Sequence, residues 1–395
     1  MAAGRPLRIL HAVEFYDPSR GGAQEVVRRI SEAMVAAGHE VTVATTRLKD
    51  RSTKSVRGVR IEEFEIAGNA VRGVRGEAYA YQRFLIEEPF DVVMTYAAQQ
   101  WTTDLMLEVA DHVGAVKLCA PCGYSALHDP SYREYFRRLP VHLRKLDATI
   151  YHSNGYQDIE FARAHRLAGV HVIPNGASAA EFSVLDRAAA SARVRKYGVR
   201  GRLVLSVGSH TGLKGHRGTL AAFALARTGP ATLIINGDGR PGAGCERSCR
   251  QLVARLEPLL RAQRKRALML DLDRDELVAA YQSADAFVLL SRCECSPVVL
   301  FEAAASGTPF VSADIGNARE IAAWTGAGVV LDPAAAPWHA ARALSGLLLD
   351  YERSAAMARD GRDAWRRAFT WETIAQSYLA LYQSLVALRA IGSRR

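Results

Sequence analysis

The chain has 395 residues, of which 49% are hydrophobic and 23% charged. This composition excludes a disordered, collagen-like or coiled-coil protein, and the length favours two globular domains. No apolar run reaches the roughly 18 to 20 residues that a membrane-spanning helix needs. The stretch from Met1 to the strand-like residues 7–10 has no signal-peptide pattern, so we expect a soluble cytoplasmic protein.

The formal net charge of +10 comes almost entirely from arginine, with 44 Arg against 7 Lys. A basic chain is compatible with nucleic acid, anionic lipid or phosphorylated small molecules as partners. The charge alone does not choose among them. Because the aromatic residues form no pattern typical of RNA-binding or OB-type domains, we expect no nucleic-acid partner.

The first half of the chain alternates predicted strands and helices. A strand at 7–13 is followed by a glycine-rich loop at 15–22, a helix at 23–37 and a strand at 41–45. Further strands are predicted at 61–66, 91–96, 116–120, 148–152 and 171–173. This alternation is typical of a parallel sheet covered by helices.

The second half repeats the alternation. Its strands are predicted at 203–207, 232–236, 268–270, 286–290, 310–312 and 328–331, and its helices at 219–227, 249–262, 275–283 and 298–306. The two series predict two doubly wound α/β domains, residues 1–180 and 181–370, with a last amphipathic helix in 371–395. Ligands of such sheets bind at the carboxyl ends of the strands, so we expect a site in a cleft between the domains.

The six cysteines are too few and too scattered for a disulfide framework. They form three close pairs: Cys119 with Cys122, Cys245 with Cys249, and Cys293 with Cys295. Each pair lacks a second cysteine pair at zinc-ribbon spacing. We therefore expect reduced thiols and no metal site.

Residues 286–312 carry the most informative pattern. A buried strand at 286–290 leads into a turn at 291–295, and Ser296 with Pro297 then resembles an N-cap followed by a proline in the first helical position. The helix at 298–305 ends at a glycine and a proline. This segment places a helix N-terminus directly after the carboxyl end of a strand.

The start of that helix is a candidate anion site. The amides of Val298 and Val299, beside Pro297, lie at the positive end of the helix dipole. Glu294 precedes this point and Glu302 follows it by about one and a half turns. Two carboxylates in these positions can accept hydrogen bonds from hydroxyl groups on either side of a bound pyrophosphate.

The segment from Ser291 to Pro309 resembles the donor-site signature of the retaining family 4 glycosyltransferases of the GT-B fold, S-x2-E-x7-E-A-x-A-x-G-x-P. The resemblance covers about residues 8–45, 148–182 and 203–330. It implies two Rossmann-like domains, an acceptor-side domain at 1–180 completed by 371–395 and a donor-binding domain at 181–370.

Other segments match the family in the same order. Gly21 and Gly22 resemble its amino-terminal glycine loop, which approaches the donor phosphates and the acceptor. Residues 173–176 read IPNG, like the segment that joins the domains of the family. Gly237, at the start of a GDG turn that includes Gly239, resembles the loop near the donor base. The resemblance thus extends to both halves of the chain.

Lys214 resembles the family lysine that neutralises the leaving diphosphate. Cations at the start of a helix oppose its dipole, and a bound phosphate would explain a lysine there. The family arginine five residues earlier is replaced by Ser209. Candidates for the missing cation are His210, Arg217 and Arg292. With Lys214, we assign Ser209 and His210 to donor binding.

A histidine after a strand of the amino-terminal half sits under the donor sugar in this family. The nearest one after 116–120 is His128, which we take as a candidate catalytic residue. Asp271 and Asp273 look like a metal-binding DxD motif, but that motif belongs to another glycosyltransferase fold. Here the two aspartates precede a predicted helix, whose N-terminus favours acidic side chains. We expect no metal and no cofactor.

The resemblance implies a metal-independent retaining enzyme that moves a sugar from a nucleotide-diphosphate sugar to a sugar, lipid-linked or small-molecule acceptor, in cell-envelope, polysaccharide or glycoconjugate synthesis. In that chemistry Glu294 holds the sugar hydroxyls, Glu302 the ribose, and Lys214 the diphosphate. A basic stretch at 131–146 suggests peripheral contact with the anionic inner face of the cell membrane.

Two alternatives remain open. Ser209 and Cys122 depart from the family pattern, which leaves room for a nucleotide-sugar-binding or scaffold protein without catalysis. A nicotinamide dehydrogenase is disfavoured because no GxGxxG follows the first strand. Neither the donor base nor the acceptor follows from the sequence.

Overall fold

The computed structural model describes residues 5–183, 186–238 and 244–392. The chain divides into two units, Met1–Asn175 with Trp371–Arg395, and Gly176–Thr370. The division therefore falls at Asn175, shortly before the expected boundary after residue 180.

The strands of the first unit are β1 (Arg8–Ala12), β2 (Glu40–Thr46), β3 (Ser55–Val56), β4 (Val59–Phe64), β5 (Ile66–Ala67), β6 (Arg75–Gly76), β7 (Val92–Tyr96), β8 (Val116–Ala120), β9 (Ala148–Tyr151) and β10 (Val170–Val172). Among the described residues they form an eight-stranded sheet of order β10-β9-β8-β7-β1-β2-β4-β3 and a small antiparallel pair, β5 with β6. The large sheet is parallel apart from β3. Every residue of β7 and β8 is buried, as a parallel strand covered on both faces requires.

The helices of this unit begin with α1 (Gly22–Ala36), α2 (Ala78–Glu87), α3 (Trp101–Val109), α4 (Arg133–Leu143) and α5 (Gln157–Ala164). Helix α1 buries Val26, Val27, Ile30 and Met34, whose three- and four-residue spacing places them on one face. That face packs on the sheet, so the predicted β-α-β start of the chain is confirmed.

The second unit has one six-stranded parallel sheet in its described part, of order β13-β12-β11-β14-β15-β16. Its strands are β11 (Arg202–Val207), β12 (Ala231–Asn236), β13 (Lys265–Leu270), β14 (Ala286–Leu289), β15 (Phe310–Ala313) and β16 (Gly328–Leu331). This is the strand order of a doubly wound dinucleotide-binding sheet, and its direction of winding reverses between β11 and β14.

The helices of the second unit are α6 (Ala179–Phe182), α7 (Arg187–Arg195), α8 (His216–Leu225), α9 (Glu246–Ala262), α10 (Arg274–Ser283), α11 (Val298–Ala305), α12 (Ala318–Thr325), α13 (Pro337–Leu349) and α14 (Tyr351–Ala368). Two clusters of buried apolar residues cover the sheet, one of them centred on Phe287, Phe301 and Trp365 and the other on Phe223 and Leu344. The sheet is therefore buried on both faces, as the apolar strands predict.

The last helix, α15 (Trp371–Gly392), returns to the first unit. Tyr378 and Tyr382 are buried on it, and the Tyr382 hydroxyl lies 3.1 Å from Nε2 of His11 in β1. The predicted terminal helix is confirmed and completes the core of that unit. None of the helices in the described ranges combines the length and apolar character needed to cross a bilayer.

Candidate active site

Two loops meet where the second sheet reverses its winding. The loop after β11 and the loop after β14 are neighbours because these strands pair in parallel. The amide of Arg292 donates to the carbonyl of Leu213 over 2.8 Å, and Ser291 Oγ lies 3.2 Å from the same carbonyl oxygen. These contacts join the two loops at the carboxyl edge of the sheet, where open α/β sheets bind their ligands.

Gly215 makes this close approach possible. Its φ of +69° lies in the left-handed region, and a Cβ there would fall 1.8 Å from the carbonyl oxygen of Leu290. No side chain fits that space. The glycine thus holds the residue before it, Lys214, against the loop that follows β14.

Lys214 and Glu294 form an ion pair in this place. The lysine Nζ lies 2.7 Å from Glu294 Oε1, and Ser291 Oγ donates to the same oxygen over 2.7 Å. The side chains remain 26% and 13% exposed, respectively. The structure therefore brings together two of the three predicted catalytic residues and leaves them partly accessible.

Helix α11 begins beside this ion pair. Pro297 occupies its N-cap position and Val298 is the first helical residue, so the expectation that Ser296 is the N-cap and Pro297 the first helical residue was wrong by one position. By helix geometry the amides of Val298 and Val299 have no partner within the helix, while the amide of Leu300 donates to the carbonyl of Pro297 over 3.0 Å. Val298 and Val299 are half-buried, so their end of the helix is partly accessible.

Glu302 is held by a residue that the sequence analysis missed. Arg274 Nη2 lies 2.7 Å from Glu302 Oε1 and 2.6 Å from Glu181 Oε2. The Glu302 side chain is only 5% exposed. A signal was available, because Arg274 is a cation at the first position of α10 and opposes its dipole as Lys214 opposes that of α8.

A small cavity lies at the carboxyl ends of β12 and β13. It measures about 210 Å³ and is lined among others by Gly237, Leu270 and Asp271. Gly239, also part of the predicted base loop, lies outside the described residues. Asp273 caps α10 by accepting from the amide of Glu276 over 2.9 Å, so the capping interpretation of this aspartate is confirmed.

The structure does not support a charged role for His210. Its Nδ1 lies 3.1 Å from Nδ1 of His216, and burial lowers the pKa of His210 below its usual value. The side chain therefore cannot replace the arginine missing at Ser209, which is half-buried at the start of the same loop. Arg292 lies against the same loop, where its Nη2 donates to the carbonyl of Gly212 over 3.0 Å.

In the first unit the winding reverses between β1 and β7, and the predicted glycines follow β1. Gly21 occupies the N-cap position of α1 and Gly22 is its first residue. A Cβ at Gly22 would meet nothing within 4 Å. The fold itself thus does not require glycine at position 22.

His128 is exposed in the turn that precedes a short 3-10 helix, Pro130–Tyr132. It follows β8, as predicted, although seven residues separate it from the end of that strand. Its catalytic role stays a prediction.

The loops after β7 and β8 have unusual backbone conformations. Ala97, Gln99, Cys122 and Tyr124 have φ between +49° and +70°, a region that costs non-glycine residues free energy and that is common at ligand-binding loops. Sequence reasoning did not identify them, since only Gly123 in this group signals a turn.

Two buried carboxylates support these loops. Asp104 accepts from the amide of Ala70 and from the Tyr135 hydroxyl, each over 2.8 Å, and that hydroxyl accepts from the amide of Gln99 in the loop after β7 over 3.1 Å. Asp158 accepts from the amide of Gly123 over 2.9 Å. Burial raises the pKa of both aspartates to about 6.

Two family models match the chain. The model for Glycosyltransferase Family 4 matches residues 20–181, and the model for Glycosyl transferases group 1 matches residues 195–364. Together they span most of both units, and they confirm the family resemblance of each half.

The chain is also similar in sequence to individual curated glycosyltransferases. The chain is 31% identical over 243 residues to a D-inositol 3-phosphate glycosyltransferase of Corynebacterium urealyticum, a match that covers 60% of this chain and 56% of that protein. The matches span about half of the length of the curated relatives.

Solved structures confirm the fold. The sucrose-phosphate synthase of Thermosynechococcus elongatus superposes with a TM-score of 0.79 at 19% identity, over 97% of this chain and 100% of that chain. Anabaena HepE in complex with UDP and glucose superposes with a TM-score of 0.75 at 17% identity, over 96% of this chain and 100% of that chain. The prediction of a GT-B fold is confirmed.

Proposed function

Because the chain belongs to the family 4 and group 1 glycosyltransferases of the GT-B fold, we propose that it transfers a sugar from a nucleotide-diphosphate sugar to an acceptor hydroxyl, with retention of configuration. The observation that carries this proposal is the ion pair of Lys214 with Glu294 at the reversal point of the second sheet, next to the start of α11.

In this proposal the diphosphate of the donor binds the first-turn amides of α11 and the ammonium group of Lys214. Helix N-termini and lysines are common phosphate ligands. Lys214 would leave Glu294 as it binds the diphosphate, which frees the carboxylate to accept hydrogen bonds from the sugar. Ser291 still donates to Glu294 and keeps it oriented.

Glu302 is proposed to bind the ribose. Arg274 already fixes one of its carboxylate oxygens, so the side chain enters the reaction in a defined orientation. The cavity beside Gly237 is proposed to take the base. Each part of the donor thus has a candidate partner in the second unit.

The proposed chemistry requires only the substrates and the protein. The acceptor oxygen forms a bond to the anomeric carbon while the bond from that carbon to the diphosphate oxygen breaks on the same face. The leaving diphosphate takes the proton of the acceptor hydroxyl, and Lys214 with the helix amides stabilises its developing charge. His128 is proposed as a further catalytic residue. No metal or cofactor has a part in this scheme.

The relatives suggest which donor to test first. HepE was solved with UDP and glucose, and also with UDP-glucose, so we propose a uridine diphosphate sugar as the donor. The inositol phosphate relative suggests a small-molecule acceptor, and sugar or lipid-linked hydroxyls are further candidates.

A thermal-shift panel tests donor binding directly. Purified protein is heated with UDP, GDP or ADP and with the matching sugars, and a ligand at 100 times its dissociation constant adds about 2.7 kcal/mol of stability. We expect stabilisation by one family of nucleotides in the wild type and a weaker effect in Glu302→Ala. Equal nucleotide affinity in the variant would contradict the assignment of Glu302.

Transfer is then measured with the donor that binds. The product is analysed by NMR for the configuration of the new linkage, and retention is expected. Nucleotide binding without transfer to any acceptor in a broad panel would favour the binding or scaffold alternative. Absence of nucleotide binding would contradict both the glycosyltransferase proposal and the binding or scaffold alternative.

We also propose that the enzyme acts in the cytoplasm and touches the anionic membrane surface through α4. This helix exposes Arg137, Arg138 and the apolar Val141, which is 60% exposed. Glu134 pairs with both arginines and offsets part of their charge. Co-sedimentation with liposomes is expected only when they contain anionic lipid, and equal binding to neutral liposomes would contradict the proposal.

A further inference from the structure

Four potential metal ligands converge in the second unit, beside the loop that carries Lys214. His210 lies in that loop and His216 is the first residue of α8. Cys245 occupies the N-cap position of α9, and Cys249 lies one turn further along the helix. The ligand atoms of these four residues all lie within 4.8 Å of one another.

The distances match a tetrahedral site. The two histidine Nδ1 atoms are 3.1 Å apart, and Cys245 Sγ lies 3.7 Å from Nδ1 of His210 and 3.8 Å from Nδ1 of His216. With zinc–nitrogen bonds of about 2.0–2.1 Å and zinc–sulfur bonds of about 2.3 Å, a tetrahedron separates two nitrogens by about 3.3 Å and a nitrogen from a sulfur by about 3.6 Å. Small movements would bring the side chains to a common ion.

We propose that His210, His216, Cys245 and Cys249 bind one zinc ion in a closed structural site. Two thiolates and two neutral imidazoles balance the charge of Zn²⁺, which suits a place where three of the four residues are buried. The two thiols release their protons when the metal binds. Because the protein supplies all four ligands, this ion has no open position for a substrate.

The site would fix the geometry of the neighbouring loop. His210 and His216 lie on either side of residues 211–215, and Cys245 and Cys249 belong to the start of α9. A shared ion would therefore tie the Lys214 loop to α9. The amide of Cys245 already donates to the carbonyl of His210 over 3.0 Å.

The expectation of unpaired, metal-free thiols came from searching for a second cysteine pair. The structure supplies a histidine pair instead, far away in the sequence. The histidine pair and the cysteine pair come together only in the fold, where β11 pairs with β12 and α9 follows β12 along the chain. The proposed zinc is separate from the transfer chemistry, for which the metal-free expectation is unchanged.

Metal analysis tests the proposal. Protein without a histidine tag is purified from zinc-supplemented cultures, and its metal content is measured by mass spectrometry. We expect about one zinc per chain in the wild type and a loss of most of it in Cys249→Ser. Cys119→Ser, which changes a buried cysteine of the first unit, is the matched control and should keep its zinc.

Cys245→Ser is a second variant, in case Cys249→Ser loses its zinc because it misfolds. Serine is a favoured N-cap residue and preserves the start of α9. In cobalt-loaded protein we expect the intense d–d bands of a tetrahedral ion and a thiolate-to-cobalt band that falls by about half in this variant. A wild type that takes up neither zinc nor cobalt would overturn the proposal. Equal zinc in Cys249→Ser and Cys119→Ser would also overturn it. These readouts do not depend on glycosyl transfer.

Discussion

Replacing Lys214 by alanine separates a catalytic role of this lysine from a structural one. The ammonium group pairs with Glu294 over 2.7 Å while both side chains are partly exposed. Such an ion pair contributes at most about 1 kcal/mol to stability, and Ser291 continues to donate to Glu294 after the change. For a unit of this size, we expect the melting temperature to fall by about 2–4 °C.

The expected loss of activity in Lys214→Ala is larger than its loss of folding stability. In the proposed reaction the lysine stabilises charge that develops on the leaving diphosphate, and removal of one such group costs about 10²–10³ in kcat, or about 2.7–4 kcal/mol. The loss of transition-state stabilisation should therefore exceed the loss of folding stability by about threefold.

Initial rates of nucleotide release and melting curves are measured side by side. Lys196→Ala is the matched control, since it removes a lysine of the same unit that pairs with Glu276. We expect the control to keep its activity. If Lys214→Ala stays within about threefold of the control in kcat/KM, the lysine does not act on the diphosphate and our reading of the ion pair is refuted.

Three further predictions concern the fold around the site. Gly215→Ala places a Cβ 1.8 Å from the Leu290 carbonyl in a left-handed backbone, so urea unfolding should show a loss of about 3 kcal/mol; a loss below 1 kcal/mol would contradict the close approach. Gly22→Ala meets nothing within 4 Å and should keep or slightly raise the melting temperature, but lower kcat/KM at least about tenfold if substrate occupies that space. Asp104 has its pKa raised from 3.8 to about 6 in the folded state, so it contributes stability below pH 4 that is lost as the pH rises through 6. The cost of Asp104→Asn in unfolding free energy should therefore shrink by about 2 kcal/mol between pH 4 and pH 7, and a constant cost would contradict the raised pKa.

The sequence predicted the fold because parallel strands and their helices leave strong local patterns. The strand Val116–Ala120 and the strand Gly328–Leu331 match their predicted bounds, and α15 begins at the predicted Trp371. Helices α13 and α14 received no separate prediction, since no strand lies between them and the terminal helix to mark their ends. The small strand pair β5 with β6 was also missed, because strands of two residues carry no periodicity.

Site residues were predicted correctly where one continuous segment contains them. They were missed where residues from distant segments of the chain come together in the fold. Glu294 was found through its position between a strand and a helix start. The pairing of Arg274 with Glu302 joins the first residue of α10 to a residue of α11, which spacing along the chain does not reveal. His210 shows the same limit, since its position beside Ser209, where the family has an arginine, suggested a cationic role, whereas its burial beside His216 favours a neutral one.

Burial also distinguishes the two carboxylates that the sequence presents as a symmetrical pair. Glu294 forms a partly exposed ion pair with Lys214, and such a pair costs little free energy to break. A bound diphosphate can therefore replace Glu294 as the partner of the lysine. The Glu302 carboxylate is only 5% exposed, and Arg274, itself 34% exposed, pairs with both Glu302 and Glu181, so losing the arginine would leave a nearly buried carboxylate without its cation. Glu302 should therefore keep its arginine while it accepts a hydroxyl, whereas Glu294 exchanges partners when the donor arrives. The donor-binding step thus changes the contacts of one carboxylate and leaves the other in place.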